Sequence, residues 1–273
     1  MDKNYLPGEG TPQPADLILV VTDSGVVIPE GGVFWAYHGL TIPRSELVPV
    51  GSLGSAAVFV CHHSVAQSYG RLPGGQAIPL RELYGLIEEP VFWFAGRAAH
   101  VYHWHIRSQF CGRCGAATLW NTREISKTCT QCNEVYYPKI SPAIIVAITR
   151  PTDRGPAVLL AKHTNRPHGF YGLIAGFIEP GESAEEAVHR EVLEETGIRI
   201  HRLRYWKSQP WPFPEGLMLG YTAEYHSGEL DLQEDELAHA GFYTAGDLPL
   251  LPPALSLSRQ LTDLVLGRGE EKK

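Results

Sequence analysis

The sequence is short of sulfur, with two Met and five Cys in 273 residues. Five thiols cannot all pair, and four of them sit in two Cys-x-x-Cys pairs. That pattern points to a metal site rather than a disulfide-stapled scaffold. Excess positive charge is also missing: 23 Lys and Arg face 30 Asp and Glu, a formal net charge of −7. Bulk electrostatics therefore do not favour polyanions, and an anionic substrate would need cations recruited locally. Long apolar runs are absent; Ala143–Ile148 falls far below the ~20 residues of a spanning helix. The first residues carry acids and prolines ahead of any apolar run, unlike a signal peptide. Together these features predict a soluble cytoplasmic protein with no membrane partner.

What is present suits a folded, loop-rich chain: 44% hydrophobic residues, 19% charged, 28 Gly and 21 Pro. At roughly 150 residues per domain, the length suggests about two domains. Residues 1–14 read as a polar arm, followed by short β-type runs at Leu17–Val21, Val33–Ala36 and Ala56–Cys61. Val91–Arg107 reads as a helix, with Phe92, Ala95, Ala99, Tyr102, His103 and Ile106 at helical spacing. Farther on, strands are expected at Ala143–Thr149, Ala157–Ala161, Leu173–Phe177, Leu203–Ser208 and Met218–Tyr225. Helices are expected at Ser183–Thr196 and Leu255–Leu266. LILVVTDSG (17–25) and IIVAITRPTDRG (144–155) are both apolar strands running into an Asp/Gly turn, a hint of internal repetition.

Cys111-Gly-Arg-Cys114 and Cys129-Thr-Gln-Cys132 are separated by 14 residues. Two such pairs complete the tetrahedral S₄ set that zinc prefers. Gly115 and Asn133 directly follow the pairs and tolerate the left-handed backbone that tight knuckles need. The competing reading is two redox dithiols. All four ligand positions are cysteine, so the expected zinc, one per chain, is structural. Cys61 reads as a buried inert thiol, and His62, His63, His100, His103 and His105 as ordinary packing.

Between Gly176 and Ile198 the chain places a glycine loop before a helix rich in carboxylates. Ser183 and Glu186 have capping-box spacing and Gly197 marks the stop, so Glu185 and Glu186 read as capping or solvated. Glu191, Glu194 and Glu195 fall on one helical face, where like charges destabilise. A hard divalent cation, Mg²⁺ or Mn²⁺, explains them better than a solvated acidic face. Val188, Val192 and Leu193 are expected to pack, and Arg190 to pair with Glu182.

This stretch resembles the Nudix box, Gly-x₅-Glu-x₇-Arg-Glu-U-x-Glu-Glu-x-Gly-U with U apolar, at every specified position. The resemblance implies a Nudix hydrolase, which cleaves a nucleoside diphosphate linked to another group with several divalent cations. It also implies an α+β fold in which a mixed sheet lies between helices.

Ser208-Gln-Pro210-Trp-Pro212-Phe-Pro214 places three prolines at alternate positions. Each fixes φ and lacks an N–H, so this cannot be a central strand. It is expected to be a rigid extended segment presenting Trp211 and Phe213; a Pro-rich docking ligand or a packed loop are the alternatives. With the box and the cysteine pairs, it makes residues 90–273 similar to the NADH pyrophosphatase family of Nudix hydrolases. The resemblance implies cleavage of NAD(H) to nicotinamide mononucleotide and AMP, NAD-cap removal from RNA by bacterial members, and a homodimer. It carries catalysis onto Glu195, Glu191 and Glu194, and Mg²⁺ or Mn²⁺ ligation onto the Ala175 carbonyl, Glu191, Glu195 and Glu236. Substrate contacts fall on Gln209, Pro210, Trp211, Pro212, Phe213, Pro214, Glu215, Gly216 and Ser258. Tyr137 and Phe177 would sandwich the nicotinamide. The family usually has Ser where this chain has Gly216, so a hydroxyl contact is lost while the backbone N–H remains.

The expected organisation is an N-terminal small α/β domain (1–108), a zinc ribbon (109–138) and a Nudix domain (139–273). Two other functions remain open: a broader ADP-ribose or dinucleoside pyrophosphatase, and a ligand-sensing regulator built on an inactive Nudix domain. The intact carboxylates argue against the regulator. The ribbon loop sets Arg123 and Lys127 against Glu124, which is no strong basic patch.

Overall fold

The apolar run at Leu17–Val21 forms strand β1, and the short runs after it build a sheet on it. The computed structural model describes residues 12–30, 32–37, 42–69, 75–121, 123–164 and 169–268. Most of the expected arm at residues 1–14 lies outside them. The chain divides into two units, residues 1–139 and 140–273.

In the N-terminal unit, β1 is joined by β2 (Val26–Ile28), β3 (Trp35–Ala36), β4 (Val48–Leu53), β5 (Ala56–His62) and β6 (Gln76–Ile78). Their order is β4-β5-β1-β2-β6, with β3 also on β1. Among the strand pairings of the described residues in this sheet, only β1–β5 is parallel. Helix α1 (His63–Ser68) follows β5, and the expected long helix is α2 (Glu89–Arg107). Phe92, Ala95 and Ala99 are buried as their spacing requires, but Ile106, in the last turn of α2, is exposed.

The zinc ribbon, β7 (Thr118–Trp120), β8 (Lys127–Cys129) and β9 (Val135–Tyr136), forms a three-stranded sheet in the same unit. Lys127 fastens it to α2. Its ammonium donates to the carbonyls of His105 (2.8 Å) and Ser108 (3.3 Å), at the negative end of the helix. It also lies 5.6 Å from the ring centroids of Trp104 and Trp120. Burial pushes its pKa down to about 8. Lys127 is therefore an internal fastener, which agrees with the expected lack of a basic patch on the ribbon loop.

The second unit contains β10 (Ser141–Thr152), β11 (Gly155–His163), β12 (Ile174–Phe177), helix α3 (Ala184–Thr196), β13 (Arg199–Trp211), β14 (Gly216–Ser227), β15 (Leu237–Tyr243) and helix α4 (Leu257–Val265). The sheet order is β13-β14-β10-β11-β15, with β12 on β10. Here β10 pairs parallel with β14, and every other pairing is antiparallel. Apolar residues on the two faces of β10 enter different cores: Ile144, Val146 and Ile148 meet α3, while Ile145 and Ala147 meet α4. Gly220 lets α4 come close to β14, since a Cβ there would lie 3.0 Å from Leu257. The mixed sheet between helices thus matches the expected α+β fold.

Taken in chain order, the two large sheets share one plan. The first strand of each is parallel to the fifth and antiparallel to the second and third. The fourth strand pairs with the fifth and the second with the sixth. The hinted repetition is therefore a repetition of topology. Among the described residues, no helix is long and apolar enough to cross a membrane.

Candidate active site

Helix α3 begins and ends as its sequence specifies. The Ser183 hydroxyl accepts from the Glu186 amide (3.2 Å), and the Glu186 carboxylate accepts from the Ser183 amide (2.8 Å). Gly197 adopts φ 70° and donates its N–H to the Leu193 carbonyl at 2.9 Å. Ala187, Val188, Val192, Glu195 and Thr196 form the buried stripe. Leu193, expected to pack, is 42% exposed, because it lies one residue, about 100° of helix, beyond Val192. Glu195 takes a place in the packed stripe instead, at 2% exposure.

The three carboxylates are thus graded. Glu194 faces solvent, Glu191 is half-buried and Glu195 is buried. Arg190 organises them. Its guanidinium donates to both Glu182 oxygens (2.8 and 2.9 Å), to Glu191 (2.9 Å), to Glu194 (3.0 Å) and to the Phe177 carbonyl (3.0 Å). The expected Arg190–Glu182 pair is present in bidentate form and ties the glycine loop to α3. Across the loop, any Cβ at Gly176 would overlap the Glu191 carboxylate. The glycine therefore lets that carboxylate lie on the backbone of β12, beside Ala175. Burial pushes the Glu191 carboxyl above its usual range; Arg190 opposes this, and the charges of Glu194 and Glu236 add to it.

Glu236 reaches this group through a tethered loop. Asp231 and Gln233 donate their amides to the Thr196 and Glu195 carbonyls at 3.0 and 3.2 Å. Thr164 donates its amide to the Glu236 carbonyl at 2.9 Å. These backbone tethers had no sequence signal, since a loop's closure on a distant helix leaves no local pattern.

The proline motif is partly strand. Ser208, Gln209, Pro210 and Trp211 end β13, in register with Leu219, Met218, Leu217 and Gly216. The expected extended backbone is present over Ser208–Trp211, in a strand at the end of the sheet order rather than a central one. Pro210 is tolerated because β13 is an edge strand, where a missing N–H costs no ladder bond. Residues 212–215 form the turn, and Trp211 and Phe213 meet edge-to-face at 5.1 Å. Gln209 is buried and faces inward. Its amide donates to the Leu255 carbonyl (2.9 Å) and accepts from the Leu257 N–H (3.0 Å), clamping the hairpin to the start of α4. From α4, the Ser258 hydroxyl accepts from the Leu173 amide at 3.1 Å. Glu215 accepts the Ser141 amide on its carbonyl at 2.8 Å. A Cβ at Gly216 would lie 3.2 Å from the Trp211 carbonyl, so the glycine relieves crowding at the hairpin. Phe177 is 65% exposed at the end of β12. Tyr137, in the N-terminal unit, is also exposed and donates its hydroxyl to Glu124 at 3.0 Å.

The four cysteines converge. Sulfur–sulfur distances are 3.5 Å for Cys111–Cys132, 3.4 Å for Cys114–Cys129 and 3.6 Å for Cys114–Cys132. All four sulfurs lie within 4.8 Å of one another. A tetrahedral ion with Zn–S bonds of about 2.3 Å needs edges of about 3.8 Å, so the set fits zinc. Arg113 and Gln131 donate their amides to Cys111 and Cys129 at 3.4 Å each, and Gly115 (φ 76°) and Asn133 (φ 59°) are left-handed as expected.

Residues 139–265 match the model of the NUDIX domain, and residues 106–137 that of the NADH pyrophosphatase zinc ribbon domain. The fold and site define a zinc-ribbon Nudix hydrolase. A relative from Deinococcus radiodurans, named NAD-capped RNA hydrolase NudC, is 35% identical over 255 residues, covering 93% of this chain and 89% of that one. The chain belongs to the NudC family. A NudC relative from Citrobacter koseri is 45% identical over 173 residues, covering 63% of this chain and 66% of that protein's length. A solved MutT NUDIX hydrolase from Burkholderia pseudomallei is 28% identical with a TM-score of 0.40, covering 46% of this chain and 98% of its own.

Proposed function

We propose that the protein hydrolyses the pyrophosphate of NAD(H) to nicotinamide mononucleotide and AMP, and removes NAD caps from RNA by the same cut. The observation that carries this reading is the Glu191 carboxylate resting on Gly176 beside buried Glu195, in a chain of the NudC family. In this reading Glu191, Glu195, Glu236 and the Ala175 carbonyl hold Mg²⁺ or Mn²⁺; crowded, partly desolvated carboxylates are the donor set such hard cations take. Bound there, the cations neutralise and orient the pyrophosphate and lower the pKa of the attacking water.

The protein's own groups do the rest. Arg190 holds Glu191 and Glu194 in place while pinning the loop through Glu182. Trp211 and Phe213, stiffened by their prolines, offer a surface at low entropic cost. Phe177 and Tyr137 supply flat faces for the nicotinamide. Gln209 and Ser258 serve the site by holding the hairpin, α4 and β12 together. The enzyme works as a homodimer in the cytoplasm, where thiol pairs stay reduced for zinc.

Steady-state kinetics on NADH, NAD⁺, NAD-capped RNA and ADP-ribose with Mn²⁺ test the reading. NADH and capped RNA should be cleaved with the highest kcat/KM. A preference for ADP-ribose over both would favour the broader pyrophosphatase, to which the missing hydroxyl at Gly216 also points.

A further inference from the structure

A cavity of about 460 Å³ lies in the N-terminal unit, between the turn Arg44–Glu46, the last turns of α2 and the ribbon strand β7. We propose that it is a recognition site for one nucleotide unit, a base with its ribose and phosphate, in addition to the Nudix active site. The volume lies within the roughly 300–1,000 Å³ range of small-molecule sites.

The lining has the chemistry such a ligand needs. Tyr102 and Trp120 contribute half-buried rings, and aromatic faces stack on bases of any sequence. The Trp120 ring is held by the His105 ring, stacked on it at 5.3 Å and 12°. That imidazole is neutral near pH 7, since burial, helped by the Lys127 charge, pushes its pKa down to about 4. The Arg44 guanidinium supplies positive charge for a phosphate. It is fixed by donating to the Leu47 carbonyl at 2.7 Å and by lying 5.1 Å over the Phe59 ring. The Glu46 carboxylate, the Tyr102 hydroxyl and the Gln109 amide make no side-chain hydrogen bond to the described residues. They remain available as acceptors and donors for ribose hydroxyls and a base edge.

Among the described residues, Glu46 is the one carboxylate on the lining. A lone carboxylate cannot gather the several cations that pyrophosphate cleavage needs, so the site binds and does not cut. The same chemistry is offered by a free mononucleotide, such as a product of the cleavage, and by a nucleotide within an RNA chain.

The test is photolabelling of the full-length, zinc-loaded protein with 8-azido-AMP, and with a 5′-phosphorylated oligoribonucleotide carrying one 8-azidoadenosine, followed by peptide mapping. Label should appear on the segments around Arg44–Pro49 and Tyr102–Asn121. The probe that labels them identifies the source. Ile106→Glu adds a repelling charge at an exposed lining position and should lower this labelling about tenfold. Glu46→Gln, a second exposed lining variant, removes a negative charge while keeping an acceptor oxygen, and should raise it. Both should keep their zinc content and their NADH turnover, which separates failure of this site from failure of the pyrophosphatase reading. Label confined to the Nudix domain, or cavity label insensitive to both variants, would overturn the proposal.

Discussion

The two large sheets of this molecule share a strand plan and differ in what connects the third strand to the fourth. In the second unit that connection holds the glycine loop and the helix Ala184–Thr196, with Glu191 and Glu195 set against β12. In the first unit its only described helical element is the turn Arg44–Glu46. The sheet topology therefore does not carry the chemistry; a grafted segment of about twenty residues does. Where that segment is lacking, the surface is free to take another use, and here it borders a cavity.

The contrast can be sharpened by experiment. The largest effect should fall on stability: the ribbon is too small for a core of its own and depends on its metal. Metal analysis should find about one zinc per chain, and Cys129→Ser should lose it and lower Tm, while turnover per folded molecule changes little. Next is Gln209→Leu, which leaves the Leu255 carbonyl and the Leu257 N–H without partners. Each orphaned group should cost about 1–3 kcal/mol in denaturant unfolding, and KM for NADH should rise as the hairpin loosens. The smallest effect is stacking. Phe177→Ala and Tyr137→Ala should raise KM for NADH by about three- to tenfold, on the scale of an aromatic pair. ADP-ribose, which lacks the nicotinamide, should be much less affected. An unchanged NADH to ADP-ribose ratio of kcat/KM would remove both residues from the site.

Much of the site was legible because its signals are local. The capping box at Ser183, the stop at Gly197, the Arg190–Glu182 pair and the left-handed Gly115 and Asn133 each follow from residues a few positions apart. Elements whose reason lies elsewhere in the fold were not legible. Leu193 reads as a core residue until the sheet selects the Val188–Val192–Glu195 stripe. Prolines at 210, 212 and 214 exclude a central strand but do not show which strand the segment pairs with, which is β14. Strand β15, with Ala and Gly inside it, has little β propensity and is held by its pairing with β11. The repeated topology surfaced only as two similar strand-turn segments, since sheet order is a long-range property.

The most direct test of the central claim is NADH turnover by Glu195→Gln beside Glu46→Gln, each a carboxylate removed from one of two similarly built units. The account predicts that Glu195→Gln stays folded and loses roughly 10²–10³-fold in kcat, the scale of one strong electrostatic contact to a transition state. It predicts that Glu46→Gln retains wild-type turnover. Near-normal turnover in Glu195→Gln, or a comparable loss in Glu46→Gln, would contradict it.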